Sequence, residues 1–435
     1  MQSVQVENSA PTGGRLTGPG RSRPSTNVTV ELRRLPHPYR AVLAICSDLD
    51  ETPDRHVYLE TMRFLNTSET TVMGPGVGLE VGNSIYFDMP DDQFAYWNTD
   101  DAGREMVRDL VRSGHIDVLH SYGDLATTRS HAGRALDELD RHDCRLQVWV
   151  DHAKAPTNFG PDIMAGQGDI VGSEAYHADL TLSYGVRYVW RGRVTSVIGQ
   201  DVRPDSNGIF NINHPLASGR TLAKESAKRL LARCGNRRYA THGPNRVLSV
   251  DGLRDGRPVY EFLRCNPYWG GVGLAATAAG LGEVLTERFL DWLVARGGVS
   301  ILYTHMGKIR NRGRPFEPAT CESLRRLTYR YHEDQILVAT TARLLNYLSV
   351  RDAIRWKVEE DDDCLVIEIE TVDDPVDGSR TPSIDDLAGL TFRACGTRAI
   401  SVRLAGQRLP GVVVEADGDG AFAFFPFERL EFPPG

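Results

Sequence analysis

Short apolar runs that end in polar residues alternate with segments of helical periodicity over about 300 residues, and this rhythm constrains the chain more than any other feature. The first run, Ala41–Cys46, is uninterrupted (AVLAIC) and ends in Ser47-Asp48-Leu49-Asp50-Glu51. That is the pattern of a strand buried on both faces, as in a parallel sheet. Asp100 or Asp101 can cap the helix that follows, whose Met106, Val107, Leu110 and Val111 recur at helical spacing, and Gly114 supplies its stop. A strand at 116–119, a helix around 132–139 and a strand at 146–150 come next. Further strands are predicted at 187–190, 260–263 and 300–303, the last after a helix at 285–295 closed by Gly297-Gly298. The alternation predicts an α/β fold: a (β/α) barrel, complete or seven-stranded, or else an open doubly wound sheet. In either one, polar residues just past the strand C-termini build the active site.

The rest of the chain predicts two further parts. Residues 1–38, rich in Gly, Pro, Ser and Thr, read as a flexible arm. A helix over 335–348 closes the barrel domain, 39–355. From 356 to 435, short alternating runs predict a small β-sandwich. That tail holds 17 acidic and 7 basic residues, so it carries the chain's acidity, while residues 1–355, with 43 basic and 41 acidic, are nearly balanced.

Composition removes several classes of function. A formal charge of −8 gives no overall pull toward nucleic acid or an anionic membrane, so neither is expected as a partner. Seven cysteines without a CxxC pair indicate neither a disulfide framework nor a cysteine zinc site, and they fit a reducing compartment. With no apolar leader pattern and no membrane-length apolar run, a soluble, cytoplasmic protein is expected.

Four strand ends carry candidate chemistry. Asp48 and Asp50, two apart, share one side of an extended backbone, which suits a metal ligand beside a base. His120 ends the next strand, with Asp124 available as a second ligand or as the acceptor that orients the ring. His152 lies two residues past the third strand. Asp, His and His then reach one rim, a set that leaves an open position on a catalytic zinc. His305 follows the late strand, where it can protonate a leaving group. Arg191 and Arg264, with Asn158, are candidate substrate anchors, and Trp97, near Tyr86, Phe87 and Tyr96, is a candidate sugar-stacking ring.

Taken in order, the strand ending Ser47-Asp48-Leu49-Asp50, the segment Gly114-His115-Ile116-Asp117-Val118-Leu119-His120-Ser121 and the strand ending Thr304-His305-Met306-Gly307 resemble the polysaccharide deacetylase family, the NodB-homology carbohydrate esterases. The resemblance spans about residues 41–310. It implies a barrel of the glycoside hydrolase/deacetylase superfamily, whose members often carry a C-terminal β domain. It also implies Asp48 as base, Asp50 and His120 as ligands of a divalent metal, zinc by preference, and His305 as acid. Where the family has a second motif histidine this chain has Asp124, so the third ligand is either Asp124 or His152. The implied activity is removal of an N- or O-acetyl group from a sugar or polysaccharide intermediate.

Two other readings use the same residues. Asp48-Leu49-Asp50-Glu51-Thr52 also resembles the DxDxT signature of haloacid-dehalogenase-type phosphatases, with Asp48 as nucleophile, although that leaves His120, His152 and His305 without a role. A non-catalytic glycan-binding protein on a degenerate esterase barrel is the third.

Overall fold

The computed structural model describes residues 29–49, 52–203, 205–268, 277–361, 364–396, 399–418 and 420–434. Two compact units divide the chain, Pro38–Leu348 with Arg429–Gly435, and Met1–His37 with Ser349–Glu428.

The first unit is α/β. Its large sheet runs in the order Leu248–Gly252, Pro258–Phe262, Tyr188–Trp190, Val148–Val150, Ile116–His120, Asn83–Ile85, Ala41–Ser47, Val299–Thr304, Arg264–Cys265 and Val194–Thr195, with Ile336–Val338 also pairing Ala41–Ser47. Among the described strand pairs of this sheet, Leu248–Gly252 with Pro258–Phe262 is antiparallel and the others are parallel. The sheet is curled like part of a barrel, and a full (β/α) barrel is not shown by these pairings.

Ala41–Ser47 is buried at every position, as an uninterrupted apolar run requires. Val299–Thr304 pairs with it from Val42 to Ser47 on one side. Helices return the chain between strands. Asp101–Arg112 starts at Asp100, whose side chain accepts from Gly103 N–H, and buries Val107, Leu110 and Val111. Glu287–Arg296 is capped by Thr286 and stopped by Gly297 at φ 58°. Because the strands are parallel, their C-terminal ends gather on one rim.

Three expectations change. Residues 336–338, expected at the start of a helix, form a strand parallel to Ala41–Leu43, and the helix is Thr341–Ala353. Ile336-Leu337-Val338 is buried throughout, and periodicity does not separate so short an apolar run from a buried helical turn. Thr29–Leu32, expected in the flexible arm, pairs antiparallel with Thr391–Cys395; residues 1–28 lie outside the described residues. Finally, the last residues leave the β-rich tail: Leu430 N–H donates to Glu80 Oε2 at 3.0 Å, and Phe432 meets His115 edge-on at 4.9 Å.

The second unit holds two sheets. One runs Thr29–Leu32, Thr391–Cys395, Gly420–Phe424 and Val413–Asp417; the other runs Ile354–Asp361, Cys364–Asp374, Ile400–Leu404 and Gln407–Arg408, with Gly378–Arg380 also on Cys364–Asp374. Trp356 and Phe392, one from each sheet, meet edge-to-face at 5.2 Å.

Asp117, on Ile116–His120, is a buried carboxyl whose Oδ2 accepts from Ala342 N–H at 2.8 Å. Burial outweighs the backbone donors and pushes it up to about 7. An unfolded aspartate titrates near ~3.9, so between those values the folded chain holds a proton that the unfolded chain has released. The stability gained from protonation is complete below about pH 4 and is lost as pH rises through about 7. Asp117→Asn keeps the acceptor and removes the titration. It is expected to flatten the difference in urea-unfolding free energy between about pH 5 and about pH 8, a difference of roughly 2.5 kcal/mol at most; an unchanged slope would assign the pH dependence to other groups.

Candidate functional site

A cavity of about 250 Å³ opens at the C-terminal rim, lined by Asp48, His120, Asp151, His152, Ala153, Met164, Trp190, Tyr303, His305 and Lys308. Asp48 follows Ala41–Ser47, His120 ends Ile116–His120, His152 stands two residues past Val148–Val150, and His305 follows Val299–Thr304. Each therefore occupies a strand-end position, where a rigid sheet holds a side chain that a loop would leave loose.

Asp48 is the centre of the cluster. Its Oδ2 lies 3.4 Å from His305 Nε2 and 3.4 Å from Arg264 Nη1, and its Oδ1 lies 3.7 Å from His120 Nδ1. Burial works to raise this carboxyl, but His120, Arg264 and His305 outweigh it and hold it down to about 2. Burial also pushes His120 well below the usual histidine range. Arg264, charged at every accessible pH, is thus the counter-ion that persists. It is fully buried, with its guanidinium 4.1 Å from the Trp190 ring centroid and 5.2 Å from that of Tyr303.

The two neighbouring histidines are held as a pair. The rings of His120 and His152 cross edge-to-face at 4.8 Å, and Tyr86 stacks on His120 at 4.4 Å. Asp124 Oδ1 lies 2.8 Å from His152 Nδ1, which fixes that ring's orientation. Gly123, at φ 99°, makes this turn; a Cβ there would meet Asp88 O at 2.2 Å. Behind each histidine the backbone is strained, since Ser121 (φ 46°) and Ala153 (φ 42°) are non-glycine residues in the left-handed region. Each costs about 1 kcal/mol or more, a penalty of the kind that concentrates at functional sites.

Asn158, expected to contact substrate, grips the main chain of His152 instead. Its Oδ1 accepts from His152 N–H at 3.0 Å and its Nδ2 donates to His152 O at 2.9 Å. Asn158→Ala removes the acceptor of His152 N–H, while His152 O keeps Ala155 N–H at 3.0 Å, so a loss of about 1–3 kcal/mol is expected in urea unfolding. A variant as stable as wild type would show that the clamp contributes nothing.

Two other expected anchors lie away from the cavity lining. Arg191 is buried, with Nη2 bonded to Asp251 and, at 2.6 Å, to Glu261 Oε2, a network that also holds Arg193. Trp97 packs edge-to-face on Phe87 at 5.7 Å and on Tyr96 at 4.9 Å, with Arg134 over its ring at 4.9 Å. The partners of Arg191 lie 60 and 70 residues away, so local reading offered no sign that it was already engaged, whereas Trp97 packs on its sequence neighbour Tyr96 and on Phe87.

Asp151, Trp190 and Tyr303 line the cavity but were not among the expected site residues. Trp190 closes its strand and Tyr303 is the penultimate residue of its own, so the strand-end rule applied to aromatic residues would have found both. Asp151 accepts from Trp149 Nε1 at 2.7 Å, Phe159 N at 2.9 Å and Gly160 N at 2.7 Å, and so anchors the loop beside His152. Burial nevertheless pushes it up to about 7.

The fit of a cation rests on unpaired atoms. Asp48 Oδ1, His120 Nδ1 and His305 Nδ1 are buried without a hydrogen-bond partner among the described residues. The 3.7 Å between the first two is too long for a hydrogen bond, so His120 Nδ1 is left open to a cation while Asp48 stays beside it as a carboxylate. Among the described residues no group of three or more His, Cys, Asp and Glu side chains is arranged to hold a metal. Asp50, the expected ligand on this strand end, lies outside the described residues.

The chain matches no protein-family model, and no curated protein matches it.

Proposed function

We propose that this protein is a hydrolase that removes an acetyl group from the amine or hydroxyl of a sugar. The observation that carries the reading is the convergence of Asp48, His120, His152 and His305, from four strand ends, on one cavity. At about 250 Å³ the cavity falls below the roughly 300–1,000 Å³ of pockets for drug-sized ligands, which suits a single sugar unit. Arg264-Cys265-Asn266-Pro267-Tyr268 adds support: the expectation that the chain lacks the R-x-x-P-Y segment that helps form the oxyanion site in polysaccharide deacetylases is wrong, because these five residues have that spacing.

In this reading a divalent cation, zinc by donor chemistry, is held by His120 and His152 with Asp50, and Asp124 orients His152. When bound, such an ion supplies Lewis acidity and a water of lowered pKa. Asp48, a carboxylate held ionised by its neighbours, would accept the proton of an attacking water. His305, 3.4 Å from Asp48 Oδ2, delivers a proton to the departing amine or alkoxide. A barrel of the glycoside hydrolase/deacetylase type and a soluble cytoplasmic sugar intermediate belong to the same proposal. No helix of the described residues is long and apolar enough to cross a membrane.

The test is acetate release from N- and O-acetylated monosaccharides with added zinc. Wild type is expected to turn over at least one of them, and His305→Gln to lose roughly 10²–10⁴-fold in kcat. Phosphate release from sugar phosphates in place of acetate would overturn the reading in favour of an aspartyl phosphatase, and turnover of neither would leave a glycan-binding role.

A further inference from the structure

The balanced charge of the α/β unit conceals a local excess. From Pro215 to Arg238 the chain holds seven basic residues and one acid, Glu225, and it contains two of the protein's five lysines. The acid is not available at the surface: Glu225 is buried, 3.2 Å from Thr195 Oγ1 and 2.7 Å from Lys228 Nζ. In the helix Pro215–Arg233 only Ser218 and Glu225 are buried. At ~100° per residue, the line opposite them passes through Leu216, Ala223, Ala227, Leu230 and Cys234. Leu216 is 86% exposed and Leu230 64%, with Ile212 at 78% in the turn before the helix and Leu231 exposed beside Leu230. Arg220 and Lys224 flank this apolar line on one side and Arg233 on the other, and none of the three forms an ion pair with a described residue.

An apolar line edged by unpaired cations restricts what can cover it. A second copy of the chain would set two basic rims against each other, which costs affinity. Nucleic acid would use the cations but gains little from exposed leucines. An anionic bilayer uses both, since leucine side chains enter the acyl boundary while lysine and arginine stems reach to the headgroups. We propose that the helix Pro215–Arg233 docks this protein in the plane of an anionic lipid bilayer. The assignment stands apart from the chemistry of the cavity and reverses the expectation, drawn from net charge, that no membrane is involved.

Sedimentation of the full-length protein with phosphatidylcholine vesicles, with and without phosphatidylglycerol, tests it. Binding to the phosphatidylglycerol vesicles alone is expected, weakening as salt is raised. Arg220→Ala with Lys224→Ala should reduce partitioning roughly thirtyfold, and Leu216→Glu with Leu230→Glu should abolish it. All four positions are at the surface, and an unchanged thermal unfolding midpoint in each variant confirms that the fold is intact. Equal binding to neutral vesicles, no binding to either, or binding unaffected by the substitutions would overturn the proposal. So would a wild-type dimer that Leu230→Glu dissociates, because the face would then belong to a second copy. Since the readout is lipid binding, its failure leaves the hydrolase reading untouched.

Discussion

Replacement of Arg264 by methionine is expected to destabilise the fold by roughly 3–5 kcal/mol at neutral pH, the loss that follows when one partner of a buried charge pair is removed. Asp48 remains buried in that variant, His120 remains neutral at neutral pH through burial, and the persistent positive charge 3.4 Å from Oδ2 is gone. The carboxyl then rises from about 2 toward the value burial alone would give it. The sign follows from linkage: once the folded pKa exceeds the unfolded one, the deficit shrinks as pH falls and the carboxyl is protonated. Arg264→Lys keeps a charge but not the planar contact with Trp190 and Tyr303, so an intermediate loss is expected. Urea unfolding at neutral and acid pH measures both effects. A methionine variant as stable as wild type at neutral pH would mean that Asp48 is neutralised by something other than Arg264.

Asp48→Asn is expected to remove catalysis in a molecule that still folds but is less stable by roughly 3–5 kcal/mol, because Arg264 keeps its buried charge without a carboxylate partner. Asparagine has the shape of aspartate but cannot accept the proton of an attacking water, and general-base catalysis contributes roughly 10²–10⁴-fold. kcat should fall by that factor or more, with CD spectrum and hydrodynamic radius unchanged. In wild type the depressed pKa also adds stability, which is present above the unfolded value near ~3.9 and is lost as pH falls through about 2. The variant should lack this acid limb. Wild-type turnover by Asp48→Asn would remove Asp48 from the reaction.

The candidate cluster was legible in the sequence because its members obey a local rule. Asp48, His120 and His305 each stand at or just after an apolar run, and a parallel sheet sends every such position to the same rim. His152 followed from the same logic at one remove. The supporting shell was not legible. Whether Arg191 faces a substrate or a carboxylate depends on Glu261, 70 residues away, and Asn158 turned inward because the main chain of His152 offered it both a donor and an acceptor. The role of Arg264 behind Asp48 depends on a contact between residues 216 apart. In the fold, Ile336–Val338 was misread because three buried apolar residues look the same in a strand and in a helical turn, and the strand Thr29–Leu32 was missed because its partner lies more than 350 residues along the chain.

The central claim is that Asp48 and His305 act in one reaction at one cavity. It is tested most directly by kcat for acetate release in Asp48→Asn, His305→Gln and the double variant. Groups that act as a unit are not additive, so the double variant is predicted to be no slower than the slower single variant, within about threefold. Losses that multiply in full, each single variant slow and the double slower by the product, would contradict the account and place the two residues in independent roles.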